Sequence, residues 1–125
     1  MNVAEYFQVQ PEFAVFRPVG TSSLEEGIEA ITEAIVLARE GKRRKLLVDV
    51  SGVTGIEPPT VTARYWLVRQ WANAAEDKVI VALVAPAEMI DSQKFGVTAA
   101  RNAGLICEIF TSEADAIAWF AGFNR

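Results

Sequence analysis

The chain has 125 residues, of which 51% are hydrophobic and 22% charged; this suits one ordinary domain, spanning 1–125, that buries about two-thirds of its unfolded surface, and it argues against disorder. A formal charge of −4 gives no drive toward nucleic acid, whose phosphates select clustered cations. The apolar runs are too short to cross a bilayer and no basic amino-terminal segment leads into one, so a cytoplasmic protein without membrane insertion is expected.

From the amino terminus, Val3 to Val9 and Phe13 to Val19 alternate partly in strand fashion around a Gln10-Pro11-Glu12 turn, which predicts a hairpin. Thr21, Ser22 and Ser23 then offer caps, and Ser22 with Glu25 has capping-box spacing. Leu24, Ile28, Ile31, Ile35 and Ala38 follow as one helical stripe that stops at Gly41. The basic run Lys42-Arg43-Arg44-Lys45 falls at the negative dipole end of that helix and reads as a solvated cap.

Leu46 to Val50 is a strand apolar enough to be covered on both faces. It leads into a polar loop, Ser51-Gly52-Val53-Thr54-Gly55, and then Pro58-Pro59, where a second helix begins at Pro59 and runs to about Ala75. Val79 to Ala85 is another buried strand. A third helix is predicted over about Asp91 to Ala103, closed by Gly104, and Ile106 to Phe110 is a short strand. Thr111 or Ser112 caps a last helix expected to bury Ala114, Ile117 and Phe120, with Trp119 and Phe123 sealing the core. The order β-β-α-β-α-β-α-β-α predicts an α/β fold: a mostly parallel five-stranded sheet with one antiparallel strand and four helices.

With Leu47-Val48-Asp49-Val50-Ser51-Gly52-Val53, and later Asn102-Ala103-Gly104, Ile109-Phe110-Thr111, Ala116 and Trp119, the chain resembles the SpoIIAA-like, or STAS, family of anti-sigma-factor antagonists. The resemblance covers nearly the whole element order. It implies a non-catalytic regulatory domain that binds a partner protein. In phosphorylatable members of that family, a serine after an Ile-Asp pair at the start of the second helix is the switch. The matching stretch here is Ile56-Glu57-Pro58-Pro59-Thr60, which puts Pro58 at the serine position. A proline has no hydroxyl to phosphorylate, so the resemblance implies a docking surface without that switch.

Catalytic chemistry finds little support in the residues. The chain has no histidine, so the usual base for a serine or cysteine nucleophile is missing. A hydrolase or transferase built on Ser51 or Asp49 is therefore disfavoured: Ser51 reads as satisfying backbone groups at the strand end, and Asp49 as a cap of the following loop. Glu25, Glu26, Glu29 and Glu33 read as a solvated helix flank, and no metal or cofactor is expected. Cys107 in its apolar strand reads as a small buried hydrophobe. Gly52 and Gly55 would permit a phosphate to approach, but no P-loop lysine follows, and the two prolines thin the donors at the helix start.

The second helix carries more apolar residues than one buried face needs. Ala63, Leu67, Trp71 and Ala74 make a core stripe, while Val61, Tyr65, Val68 and Ala72 form a neighbouring row flanked by Trp66. The leading functional expectation is a protein-interaction module that binds a partner, or itself, through Ser51, Thr54, Glu57, Pro58, Thr60, Arg64 and Tyr65. The alternative is a small apolar or lipid-like ligand held between helices and sheet. A homodimer is expected, because the first hairpin leaves a sheet edge to pair.

Overall fold

The computed structural model describes residues 2–90 and 95–123. A short helix, α1 (Val3–Tyr6), leads into strands β1 (Phe7–Val9) and β2 (Ala14–Phe16). After β3 (Gly20–Thr21) come helix α2 (Leu24–Glu40), strand β4 (Lys45–Asp49), β5 (Val53–Thr54) and helix α3 (Val61–Ala75). Strand β6 (Ile80–Val84), a single 3₁₀ turn (Ala87–Met89), helix α4 (Phe95–Asn102), strand β7 (Cys107–Phe110) and helix α5 (Glu113–Phe120) complete the chain.

The main sheet has the order β1-β2-β4-β6-β7, with β1 antiparallel to β2 and every other pair parallel. After the hairpin the parallel strands advance across the sheet in one direction. Right-handed crossovers then place α2, α3 and α4 on the same face. Among the described helices α5, which follows the last strand, covers the other. Strand β4 shows the consequence at residue level. Leu46 and Val48 pack with Phe16, Ile35 and Trp71 under the helical layer, while Leu47 packs with Val15, Ile80 and Phe120 beneath α5.

The predicted α/β order is thus observed, with five helices instead of four. The amino-terminal part of the predicted first strand is the helical turn α1. The predicted third helix is described from Phe95 onward, and its expected start at Asp91 lies outside the described residues. Of the apolar residues assigned to the last helix, Phe120 is buried but Ala114 and Ile117 are exposed, Ile117 at 42%. An eight-residue helix lying on a sheet buries only one narrow stripe, here Ala116 and Phe120. Trp119 seals the margin of that stripe, 5.7 Å from Phe110 and 5.0 Å from Phe123 between ring centroids.

The capping box of α2 is one residue later than Ser22/Glu25. Ser23 Oγ accepts the Glu26 N–H at 3.1 Å, and Glu26 Oε1 accepts the Ser23 N–H at 3.0 Å. Ser22 is instead buried, its hydroxyl donating to the Ser23 carbonyl at 3.0 Å. Ser23→Ala should therefore destabilise the protein by about 1 kcal/mol in urea unfolding; a loss of only a few tenths would place the cap elsewhere.

The basic run is not simply a solvated cap. Arg43 donates to the Pro11 carbonyl, Arg44 to that of Asp77 and Lys45 to that of Phe123, the last at 2.8 Å. These side chains tie loops together at the amino-terminal edge of the sheet. Among the described residues no helix is long and apolar enough to cross a membrane.

Candidate functional site

The stretch between β4 and α3 is more structured than a loop. Val53–Thr54 forms a two-strand parallel ladder with Gly20–Thr21. The Ser22 N–H donates to the Thr54 carbonyl at 2.9 Å, and the Thr21 and Thr54 hydroxyls lie 3.2 Å apart. Gly55 has φ +89°, and a Cβ there would sit 3.1 Å from the Ser22 carbonyl oxygen. The close approach that this glycine permits is to the chain's own backbone, not to a bound phosphate. Next to it, Ile56 leans on Gly27 of α2, where an added Cβ would come within 3.1 Å of Ile56 Cδ1.

Helix α3 begins at Val61, two residues later than Pro59. Thr60 is its N-cap, and its Oγ1 accepts the Ala63 N–H at 3.1 Å. A hydroxyl that satisfies an orphan donor outweighs the fixed backbone angle of a proline at the first helical position. Pro58 and Pro59 thus precede the cap and remove none of the donors of the first turn. Pro58 is exposed, as are Ser51, Thr54, Glu57, Thr60 and Tyr65; Arg64 is half-buried. The seven predicted site residues therefore lie along one continuous stretch, from the end of β4 into the first turns of α3.

The surplus apolar row on α3 is split. Its far part is covered, because α3 packs against both α2 and α4: Val68 is buried and Ala72 half-buried. Its near part is open, with Val61 57%, Tyr65 45% and Trp66 63% exposed. The rings of Tyr65 and Trp66 meet edge to face at 5.3 Å. Arg69, one turn on, donates to the Tyr65 hydroxyl at 3.3 Å and stacks 5.6 Å from its ring centroid. The Tyr65 ring is thus contacted from both sides, by Trp66 and by Arg69.

A polar cluster lies on the other face of the same sheet edge. Asp49 Oδ1 accepts from both the N–H (2.9 Å) and the hydroxyl (2.5 Å) of Ser51, the expected loop cap, with the Ser51 hydroxyl engaged by a side chain and not by backbone. Arg17, just after β2, grips Glu113 of α5 with two hydrogen bonds of 2.8 Å. Burial, then the neighbouring Glu113 carboxyl, raise Asp49 above the usual aspartate range despite the Ser51 donors. The Arg17 guanidinium, with help from Asp49, pushes Glu113 down to about 2. Sequence reasoning missed Arg17 and Glu113. They stand 96 positions apart, and no local pattern joins them.

The sign of the Glu113 effect follows from linkage. Its folded value lies below the ordinary glutamate range, so the stabilisation is full above about pH 4.5 and lost as pH falls through about 2. Asp49 works the other way, its contribution fading as pH rises through its raised value. The Arg17–Glu113 pair is partly solvated, which limits it to about 1 kcal/mol. Glu113→Gln should then lower the melting temperature at pH 7 by roughly 4 °C, and the gap from wild type should close near pH 2. A gap independent of pH would assign the loss to packing.

Two features carry no chemistry of their own. Burial pushes the Cys107 thiol up to about 12, which leaves it an unreactive apolar filler. Among the described residues there is no grouping of three or more side chains suited to a metal ion.

Beneath α2 and α3, toward the carboxyl ends of the strands, lies a cavity of about 120 Å³. Phe16 and Val50 form part of its floor, Ile31 and Trp71 its walls, and Ile56 and Arg64 approach it from the β4–α3 stretch. The sequence carried no direct signal for this space, because each lining residue also fits an ordinary core pattern.

This arrangement of sheet, one-sided crossover helices and carboxyl-edge loops is the SpoIIAA-like fold. Solved structures that share it include these two. One is an uncharacterised protein of the DUF3478 family with a SpoIIAA-like fold from Shewanella loihica PV-4, 17% identical, with a TM-score of 0.52 over 91% of this chain and 90% of that one. The other is the anti-sigma factor antagonist SpoIIAA in its unphosphorylated form, 18% identical, with a TM-score of 0.51 over 94% of this chain and 99% of that one. No protein-family sequence profile matches the chain, and no curated protein sequence does so either.

Proposed function

We propose that this protein is a non-enzymatic regulatory module that binds a partner protein through the β4–α3 stretch and the first turns of α3. The observation that carries this reading is the exposed apolar patch of Val61, Tyr65 and Trp66 beside a polar loop. Tyr65 is its apolar anchor, while Thr54, Glu57 and Thr60 supply polar specificity beside it and Ser51 marks the far end of the same stretch. Helix α3 contains Arg64 and Arg69 but no acidic residue, so the partner surface pairs apolar with acidic side chains. Pro58 offers no hydroxyl at the position where the SpoIIAA-like resemblance places a switch, so docking is constitutive. Self-association through the open edge of β1 is part of the proposal, and sedimentation tests it. Capture of partners from the native host, compared between the wild-type chain and an Arg64/Tyr65→Glu double variant, tests the docking surface. The proteins that disappear with the variant are the partners, and an unchanged set refutes the surface.

The cavity supports a second reading, a small apolar ligand held between the helices and the sheet. Native mass spectrometry of protein purified from its host tests it: a retained small molecule favours this reading, and a clean apo mass weakens it.

A further inference from the structure

We propose that the cavity takes a small monocarboxylate, its aliphatic or aromatic tail among Phe16, Ile31 and Trp71 and its carboxylate on the Arg64 guanidinium. This rests on the reading of the cavity as a ligand site and specifies the chemistry of the ligand. Apolar cavities of about 150 Å³ stay dry and admit a benzene-sized body. The space here, about 120 Å³, suits a short tail, which would restore dispersion contacts that the facing side chains lack.

Among the described residues that line the cavity, Arg64 is the one with a charge. It is half-buried, and among the described residues no hydrogen bond or ion pair reaches its guanidinium. Other arginines of the chain are engaged: Arg17 with Glu113, Arg39 with Glu76 and Arg69 with Tyr65. A guanidinium with its donors unfilled at the mouth of an apolar space matches a planar carboxylate in charge and geometry. Its place in the first turns of α3 adds the positive end of the helix dipole. One cation balances one negative charge, which favours a carboxylate over a phosphate dianion.

Calorimetric titration of the whole protein with hexanoate and with 1-hexanol separates the parts of this proposal. Hexanoate should bind about tenfold more tightly than 1-hexanol, the margin of a charge-assisted hydrogen bond. That margin should vanish in Arg64→Met, survive in part in Arg64→Lys, and be unchanged in Tyr65→Glu, which alters only the outer patch. Equal binding of the two probes to the wild-type chain would overturn the carboxylate assignment while sparing the cavity as an apolar site. Binding of neither at millimolar concentration would overturn both. The wild-type comparison decides the matter even if the Arg64 variants do not fold.

Discussion

Phe16→Ala should lower the unfolding free energy by about 3–5 kcal/mol, the range for deleting a fully enclosed aromatic side chain. Phe16 is completely buried at the end of β2, paired with Val48 of β4 and roofed by the helical layer. Its neighbours are held by strand ladders on one side and by long helices on the other, so they have little freedom to collapse into the space. Domains of this size have about 5–15 kcal/mol of stability in all, and the variant should unfold at markedly lower urea with an unchanged slope. Because Phe16 also floors the cavity, the same substitution enlarges that cavity. Restoration of much of the lost stability by 1-hexanol would therefore connect the packing defect to the ligand site. A loss under about 1 kcal/mol would show that the helical layer settles onto the sheet, contrary to this account.

The Arg64/Tyr65→Glu double variant should weaken partner association by at least about 2 kcal/mol, or roughly 30-fold, while changing stability by no more than about 0.5 kcal/mol. Tyr65 presents a ring already fixed by Trp66 and Arg69, so little side-chain freedom remains to be lost on binding. Glutamate at both positions replaces an apolar and cationic surface with an acidic one and repels the acidic partner proposed above. Stability is spared because Tyr65 is exposed and, among the described residues, no hydrogen bond or ion pair holds the Arg64 guanidinium. Surface plasmon resonance against a captured partner measures the first number and urea unfolding the second. Equal affinity for both chains would remove α3 from the interface.

These two predictions draw on different levels of the molecule. The first concerns a residue of the predicted Phe13 to Val19 strand, whose complete enclosure the structure shows. The second depended on which row of α3 remained uncovered. Periodicity shows that α3 has two apolar rows, but that the second is buried at Val68, where α3 packs on its neighbouring helices, and open at Tyr65 is visible only in the fold.

The order of strands and helices, the continuous burial of Leu46 to Val48 and the position of the β4–α3 stretch at a strand end were all legible in the amino acids alone. They arise from side-chain period and local turn chemistry, which act within a few residues. Local signals were ambiguous by a residue or two at helix starts: of two adjacent hydroxyls Ser23 caps α2 and not Ser22, and the Thr60 hydroxyl, not Pro59, marks the start of α3. What only the tertiary structure decided was which distant groups meet. Arg17 with Glu113, Gly20–Thr21 against Val53–Thr54, Ile56 over Gly27, and Arg64 beside an apolar cavity all depend on strand order and crossover handedness. Contacts between segments far apart in the chain form because the whole core buries apolar surface at once, and no single segment's pattern carries that information.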